Sequence, residues 1–177
     1  MSDIGLPRGT VEVRDYNPLW KEAFESEKKL LLENFPGEIL EVSHGGSTSV
    51  PGMRSKPIID MFAVVQNLAD ADKLRKQLES LGYHYRGEEG VPGRILYAKG
   101  AEEKRTHHLN LVEKTHEQWL NHISLREYYT RYPDVAQQYM DLKESLAKQF
   151  PNDRGAYGKG KTDFIETILN RARAEGL

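Results

Sequence analysis

The stretch His44–Val65, HGGSTSVPGMRSKPIIDMFAVV, decides the fold. It opens in a turn of small residues, Gly45-Gly46-Ser47-Thr48-Ser49, which leaves backbone N–H groups free to meet an anion. A Pro51-Gly52 turn and two cations, Arg54 and Lys56, lead into an apolar strand running from Ile58 to Val65. Asp60 is the one charged residue of that strand. A carboxylate there is costly to bury unless it is paired, hydrogen-bonded or bound to a metal. That requirement makes Asp60 the candidate centre of function.

Upstream, residues 1–10 read as a loose tail and Val11-Glu12-Val13 as a short edge strand. Asn17-Pro18 has the form of a helix start, with Asn as cap and Pro in the first turn. Trp20, Ala23, Phe24, Leu30, Leu31 and Phe35 then recur at helical spacing, and Pro36-Gly37 stops the helix, so its span is 18–34. Ile39–Ser43 is a short strand feeding the glycine turn.

Downstream, Leu74, Leu78 and Leu81 mark an amphipathic helix over 69–81, closed by Gly82. Three strands follow at Tyr83–Arg86, Arg94–Lys99 and His107–Val112, the last two as a hairpin. Alternation places His108, Asn110 and Val112 on one face and His107, Leu109 and Leu111 on the other. The same rule puts Asp60 and Phe62 together, facing His108 and Asn110. It also excludes a zinc site built on His107 and His108 as a pair. Thr115-His116-Glu117-Gln118 has capping-box form before a helix carrying Trp119, Leu120, Ile123 and Tyr128. After Pro133, Val135, Tyr139, Leu142 and Leu146 give a second helical stripe, and Lys143 lies off it and reads as a solvated lysine. Pro151–Lys161 reads as a loop, and a last helix starts at Thr162.

The expected architecture is α/β: one domain over 1–177 with a mixed sheet of about five strands, flanking helices, and residues 115–177 as its C-terminal helices. With 177 residues, 29% charged and 38% apolar, the composition is that of a globular chain. The net charge of -2 disfavours sequence-independent binding to long nucleic acid. No apolar run suits a membrane span, and the start lacks a secretory signal. There is no cysteine, which excludes disulfides and thiolate metal sites. A cytoplasmic location is expected. The Gly158-Lys159-Gly160-Lys161-Thr162 segment lacks the upstream glycine and strand of a phosphate-binding P-loop.

Val13, Tyr16, Pro18, Trp20, the block His44, Gly46-Ser47-Thr48, Val50-Pro51-Gly52 and Lys56-Pro57-Ile58-Ile59-Asp60, then Arg105, His108-Leu109, Leu125-Arg126, Tyr128-Tyr129, Leu142-Lys143, Leu146, Asp153-Arg154, Tyr157, Lys161 and Phe164-Ile165 together resemble the GrpB family of nucleotidyltransferase-like proteins. The resemblance implies the fold of the DNA polymerase beta-type nucleotidyltransferases. Active members of that superfamily carry a Gly-Ser turn, a strand with Asp-x-Asp or Asp-x-Glu, and a third carboxylate on a neighbouring strand. Those carboxylates hold two magnesium ions that clamp a nucleoside triphosphate and activate a hydroxyl.

Here Gly46-Ser47 matches the turn and Asp60 the first acid. Phe62 stands at the second acidic position, and His108 and Asn110 stand on the strand of the third; members of the GrpB family often carry His-x-His there. The resemblance thus implies Asp60 as the catalytic residue and Asp60, His108 and Asn110 as ligands of a divalent metal (Mg, Mn or Zn). One Asp, one His and one Asn suit zinc, manganese or iron better than magnesium, and a site that binds no metal at all is the alternative. Gly46, Ser47, Thr48, Lys56, Arg126, Arg154 and Lys161 would lie on the phosphate side. Three functions stay open: nucleotidyl transfer from a nucleoside triphosphate to a small acceptor, a catalytically silent module that binds a nucleotide or other phosphorylated small molecule, and a structural adaptor that binds no small molecule.

Overall fold

The computed structural model describes residues 4–177. Five strands, β1 (Ile39–Gly45), β2 (Ile59–Val65), β3 (Tyr83–Gly87), β4 (Arg94–Lys99) and β5 (His107–Glu113), form one sheet in the order β1-β2-β5-β4-β3. Only β2 and β5 are parallel; the other neighbours are antiparallel. The mixed sheet expected from the sequence is therefore present, with β4 and β5 paired antiparallel. Among the described residues, six α-helices accompany it: α1 (Leu19–Asn34), α2 (Ala71–Ser80), α3 (Glu117–Arg131), α4 (Pro133–Gln149), α5 (Arg154–Lys159) and α6 (Thr162–Ala174).

The period-2 pattern divides the work of the sheet. Ile59, Met61, Ala63 and Val65 of β2 join Leu109 and Leu111 of β5 in a core closed by Trp20, Phe24 and Leu31 of α1 and by Leu74 and Leu78 of α2. Each fully buried Leu or Ile in it contributes roughly 1.5–3 kcal/mol by leaving water. On the opposite face, Phe62, Val64 and Val112 pack on Trp119 of α3. A separate cluster, with Tyr129 of α3, Tyr139 of α4 and Ile168 of α6, holds the C-terminal helices together and grips Val50 and Met53 after the glycine turn. That grip seats the C-terminal helices over the Asp60 face.

Local chemistry explains the element ends. Asn17 Oδ1 accepts from the Leu19 amide at 3.0 Å, which starts α1. The cap of α3 is His116, whose Nδ1 accepts from Gln118 N, in place of the expected Thr115 box. The segment expected as a loop contains α5, started by Asp153 Oδ1 accepting from Ala156 N at 2.9 Å. The expected edge strand at Val11–Val13 does not form; Val11 N instead donates to Pro151 O, and Arg14 makes an isolated bridge to Ser55. Of the expected loose tail, residues 1–3 lie outside the described residues, whereas Ile4 and Leu6 are buried and Leu6 bridges Arg105. Among the described residues, no helix is long and apolar enough to cross a membrane.

Candidate anion-binding site

β1 delivers the glycine turn onto Asp60. Gly45 pairs with Asp60 across the β1–β2 ladder, and a Cβ there would meet the Phe62 ring at 2.7 Å. Gly46 has φ +64°, and a Cβ on it would fall 2.6 Å from Asp60 Oδ2. Only glycine permits both the conformation and the approach. A short 3-10 turn, Ser47–Ser49, follows. It is pinned by His44 Nε2, 2.9 Å from Thr48 Oγ1, while the His44 ring stacks on Phe24 with centroids 4.6 Å apart. Burial lowers the pKa of His44 to about 4; Asp60 works against that shift, and Arg126 and His107 add to it. A neutral His44 therefore braces the turn, and the Thr48 hydroxyl is spent on it.

Asp60 and His108 are direct neighbours in the parallel β2–β5 register, as are Phe62 and Asn110. His108 Nδ1 lies 3.0 Å from Asp60 Oδ1, so the two strands bring together the residues that alternation assigns to one face. Burial works to raise the Asp60 carboxyl. The hydrogen bond from His108 and the charges of His108, Lys56 and Arg154 outweigh it and hold the pKa below its ordinary value. Asp60 is thus ionised at neutral pH. Asn110 is committed elsewhere: its Nδ2 donates to Met61 O at 2.9 Å, and its Oδ1 accepts from Arg94 Nη1 at 3.3 Å.

Beside the turn, a cavity of about 130 Å³ is lined by Ser47, Lys56, Asp60, His108, Lys143 and Lys161, among others. Two of its cations lie near the Tyr157 ring, with Lys56 Nζ 5.4 Å and Lys161 Nζ 4.4 Å from the centroid. Lys143, which the helical stripe assigns to solvent, is only 2% exposed. Its ammonium donates to Arg54 O and lies 4.8 Å from the centroid of Tyr139, one helical turn earlier. The pKa of Lys56 is pulled down to about 7 by burial and then by Arg154 and Lys161, against the charge of Asp60. Lys143 is lowered to about 7 by burial and by Lys161, Arg54 and Lys56, against Glu144. Lys161 is lowered by burial, with Asp60 opposing and Arg154 adding. No carboxylate forms an ion pair with Lys56, Lys143 or Lys161 among the described residues.

A second cavity of about 390 Å³ shares the wall of Gly46, Ser47, Asp60 and Tyr139 and continues past Phe62, His122 and Leu125. His122 stacks on Phe62 at 4.3 Å, and Arg94, Asn110 and Arg126 supply polar edges. Arg126 is partly used by the fold, since its Nη1 donates to Ser43 Oγ and His44 O, each at 3.2 Å. Arg154 lies on the flank of α5 and acts on Lys56, Asp60 and Lys161 through its charge. Lys143, Tyr139, Tyr157, Arg94 and His122 line the cavities although no local pattern assigns them there.

A carboxylate-held magnesium pair does not fit these residues. Among the described residues, Asp60 is the lone carboxylate in the lining of either cavity, and Phe62 fills the second acidic position. Asn110 offers its carbonyl to a guanidinium. Among the described residues, no group of three His, Cys, Asp or Glu side chains converges as a metal site would require. Three lysines near one Asp repel a divalent cation and attract an anion.

The family model for GrpB protein matches residues 10–171. The UPF0157 protein YqkA of Bacillus subtilis is 37% identical over 167 residues, covering 94% of this chain and 48% of its own length. The chain thus spans about half of that relative. A crystal structure of the conserved protein GrpB from Enterococcus faecalis superposes with a TM-score of 0.86 at 36% identity, covering 93% of this chain and 98% of that one. A mutant Cid1 poly(U) polymerase bound to MgATP superposes with a TM-score of 0.56 at 13% identity, over 84% of this chain and 50% of that one. At that identity the second likeness concerns the fold alone: a mixed sheet with flanking helices, of the kind found in nucleotidyltransferases.

Proposed function

The chain belongs to the GrpB family, and from that premise we propose that it binds a nucleotide or another phosphorylated small molecule at the Gly46-Ser47 turn. The observation that carries this reading is the imbalance of charge: Lys56, Lys143 and Lys161 line a cavity whose one carboxylate among the described residues is Asp60. Phosphate oxygens are the natural partners for several ammonium groups beside a glycine turn. The adjoining cavity of about 390 Å³ has the size and apolar lining of a small-molecule site. Calorimetry of the chain against a panel of nucleotides and sugar phosphates tests the reading. Saturable binding with no release of pyrophosphate is expected; a panel with no binder contradicts it.

One observation favours nucleotidyl transfer as a second reading. Asp60 holds His108 by Nδ1, which orients the imidazole to take a proton from an acceptor hydroxyl. Sustained pyrophosphate release from a nucleoside triphosphate plus an acceptor, abolished by His108→Gln, would select transfer over silent binding.

A further inference from the structure

The two cavities differ in what they can hold. The larger, at about 390 Å³, lies within the range of ordinary ligand pockets, whereas the smaller, at about 130 Å³, falls well below it. The small one has room for an inorganic fragment and none for a nucleoside. Its lining carries three lysines, whose charge is fullest below the pKa of about 7 of Lys56 and Lys143, and Arg154 adds a further positive charge that acts on Lys56 and Lys161. Asp60 and its partner His108 form the wall shared with the turn, and Tyr139 and Tyr157 fill the sides. A single phosphate monoester would leave this surplus of cations poorly matched. A diphosphate or longer chain carries enough charge to meet it.

We propose that the chamber of Lys56, Lys143 and Lys161 takes the polyphosphate part of a ligand as the free anion, with lysine ammonium groups standing where nucleotidyltransferases place their metal. The inference rests on the phosphate-binding reading and narrows it to a diphosphate or longer chain bound without magnesium. The chemistry of the site supports it in three ways. The second acidic position is Phe62, so among the described residues no second carboxylate stands with Asp60 and His108 to reward a divalent ion. No carboxylate forms an ion pair with the three lysines among the described residues, and burial together with neighbouring positive charge disfavours their ammonium forms, so an incoming anion that restores those charges is rewarded. Lys56 and Lys161 lie against the Tyr157 ring and Lys143 against the Tyr139 ring, so the cations are anchored at more than one place in the lining, which suits more than one phosphoryl group.

Magnesium then acts as a competitor, because it neutralises the polyphosphate in solution before the lysines can. The test is calorimetry on the full chain with pyrophosphate, tripolyphosphate, orthophosphate, ADP and ATP, each in EDTA and in excess magnesium. Pyrophosphate and tripolyphosphate should bind in EDTA at least tenfold more tightly than orthophosphate, and magnesium should weaken them severalfold. Lys161→Met and Lys56→Met should each cost about tenfold or more, while Lys159→Met, at an exposed position, should change nothing. ATP no tighter than tripolyphosphate would support a free polyphosphate as the source, and ATP much tighter would support a nucleotide tail. ADP or ATP binding only in the presence of magnesium would overturn the metal-free chamber and leave nucleotide binding intact. Failure of every phosphorylated probe would overturn both. Circular dichroism of the lysine variants separates lost binding from lost fold. A folded Lys161→Met chain with unaltered pyrophosphate affinity would also overturn the proposal.

Discussion

Gly46 shows how little freedom the site allows at the scale of one residue. Its positive φ and the 2.6 Å distance from a would-be Cβ to Asp60 Oδ2 both penalise any side chain. Gly46→Ala should lower stability by about 1–3 kcal/mol and push the turn off Asp60, with polyphosphate affinity falling alongside. Urea unfolding and calorimetry on the same variant check both. The glycine and Asp60 are legible in the sequence, because a Gly/Ser turn and a lone acid in an apolar strand are local signals. Lys143 is not. A lysine among apolar helical residues reads as solvated unless its cavity is known, and that cavity is made by Ser47, Tyr139 and Tyr157, which are remote from one another in sequence.

At the scale of elements, β2 and β5 carry the argument. Strand alternation by itself assigns Asp60 and Phe62 to the face of His108 and Asn110, and the parallel register brings those residues side by side. Short elements are harder to read. The Val11–Val13 segment has strand-like composition, but its amide at Val11 is taken by Pro151 O and no ladder forms. The opposite error falls on α5: six residues with two glycines look like loop, yet Asp153 caps them, and the helix carries Tyr157 into the lysine chamber. Asp153→Ala should therefore cost about 1 kcal/mol, measured by thermal unfolding. It should also weaken pyrophosphate binding through the displaced Tyr157, without removing any cation of the chamber. Asn110 is a different lesson. Alternation puts it on the correct face, but only the partners of its amide, Met61 O and Arg94, show that it is occupied.

For the whole molecule, the buried histidines set an acid limit on stability. His44, His107 and His122 each have pKa values lowered to about 4, in every case first by burial. In the unfolded chain they would titrate near 6.5. Between those values the unfolded state binds protons that the folded state refuses, so stability falls as pH drops from about 6.5 toward 4. Each histidine contributes about 1–3 kcal/mol to that loss. Urea midpoints measured from pH 7.5 to 4 should fall steadily below 6.5; a midpoint flat across that window would contradict neutral, buried histidines. The global topology is readable because each strand and long helix carries its own pattern. The closure of the C-terminal helices over the Asp60 face is not, since it depends on Val50 and Met53 reaching a cluster built from Tyr129, Tyr139 and Ile168.

The central claim is that the site recognises an anion through its lysines, with Asp60 as their internal counter-charge. Asp60→Asn separates this from a metal-ligand role most directly. The substitution is nearly isosteric, and the amide oxygen still accepts from His108 Nδ1. It removes the one negative charge facing the chamber. At pH 6, below the pKa of about 7 of Lys56 and Lys143, the affinity of the folded Asp60→Asn chain for tripolyphosphate in EDTA should be unchanged or severalfold tighter than that of the unaltered chain, because a like charge has been taken away while the lysines keep their protons. A loss of tenfold or more in that affinity, with the fold intact, would contradict the account.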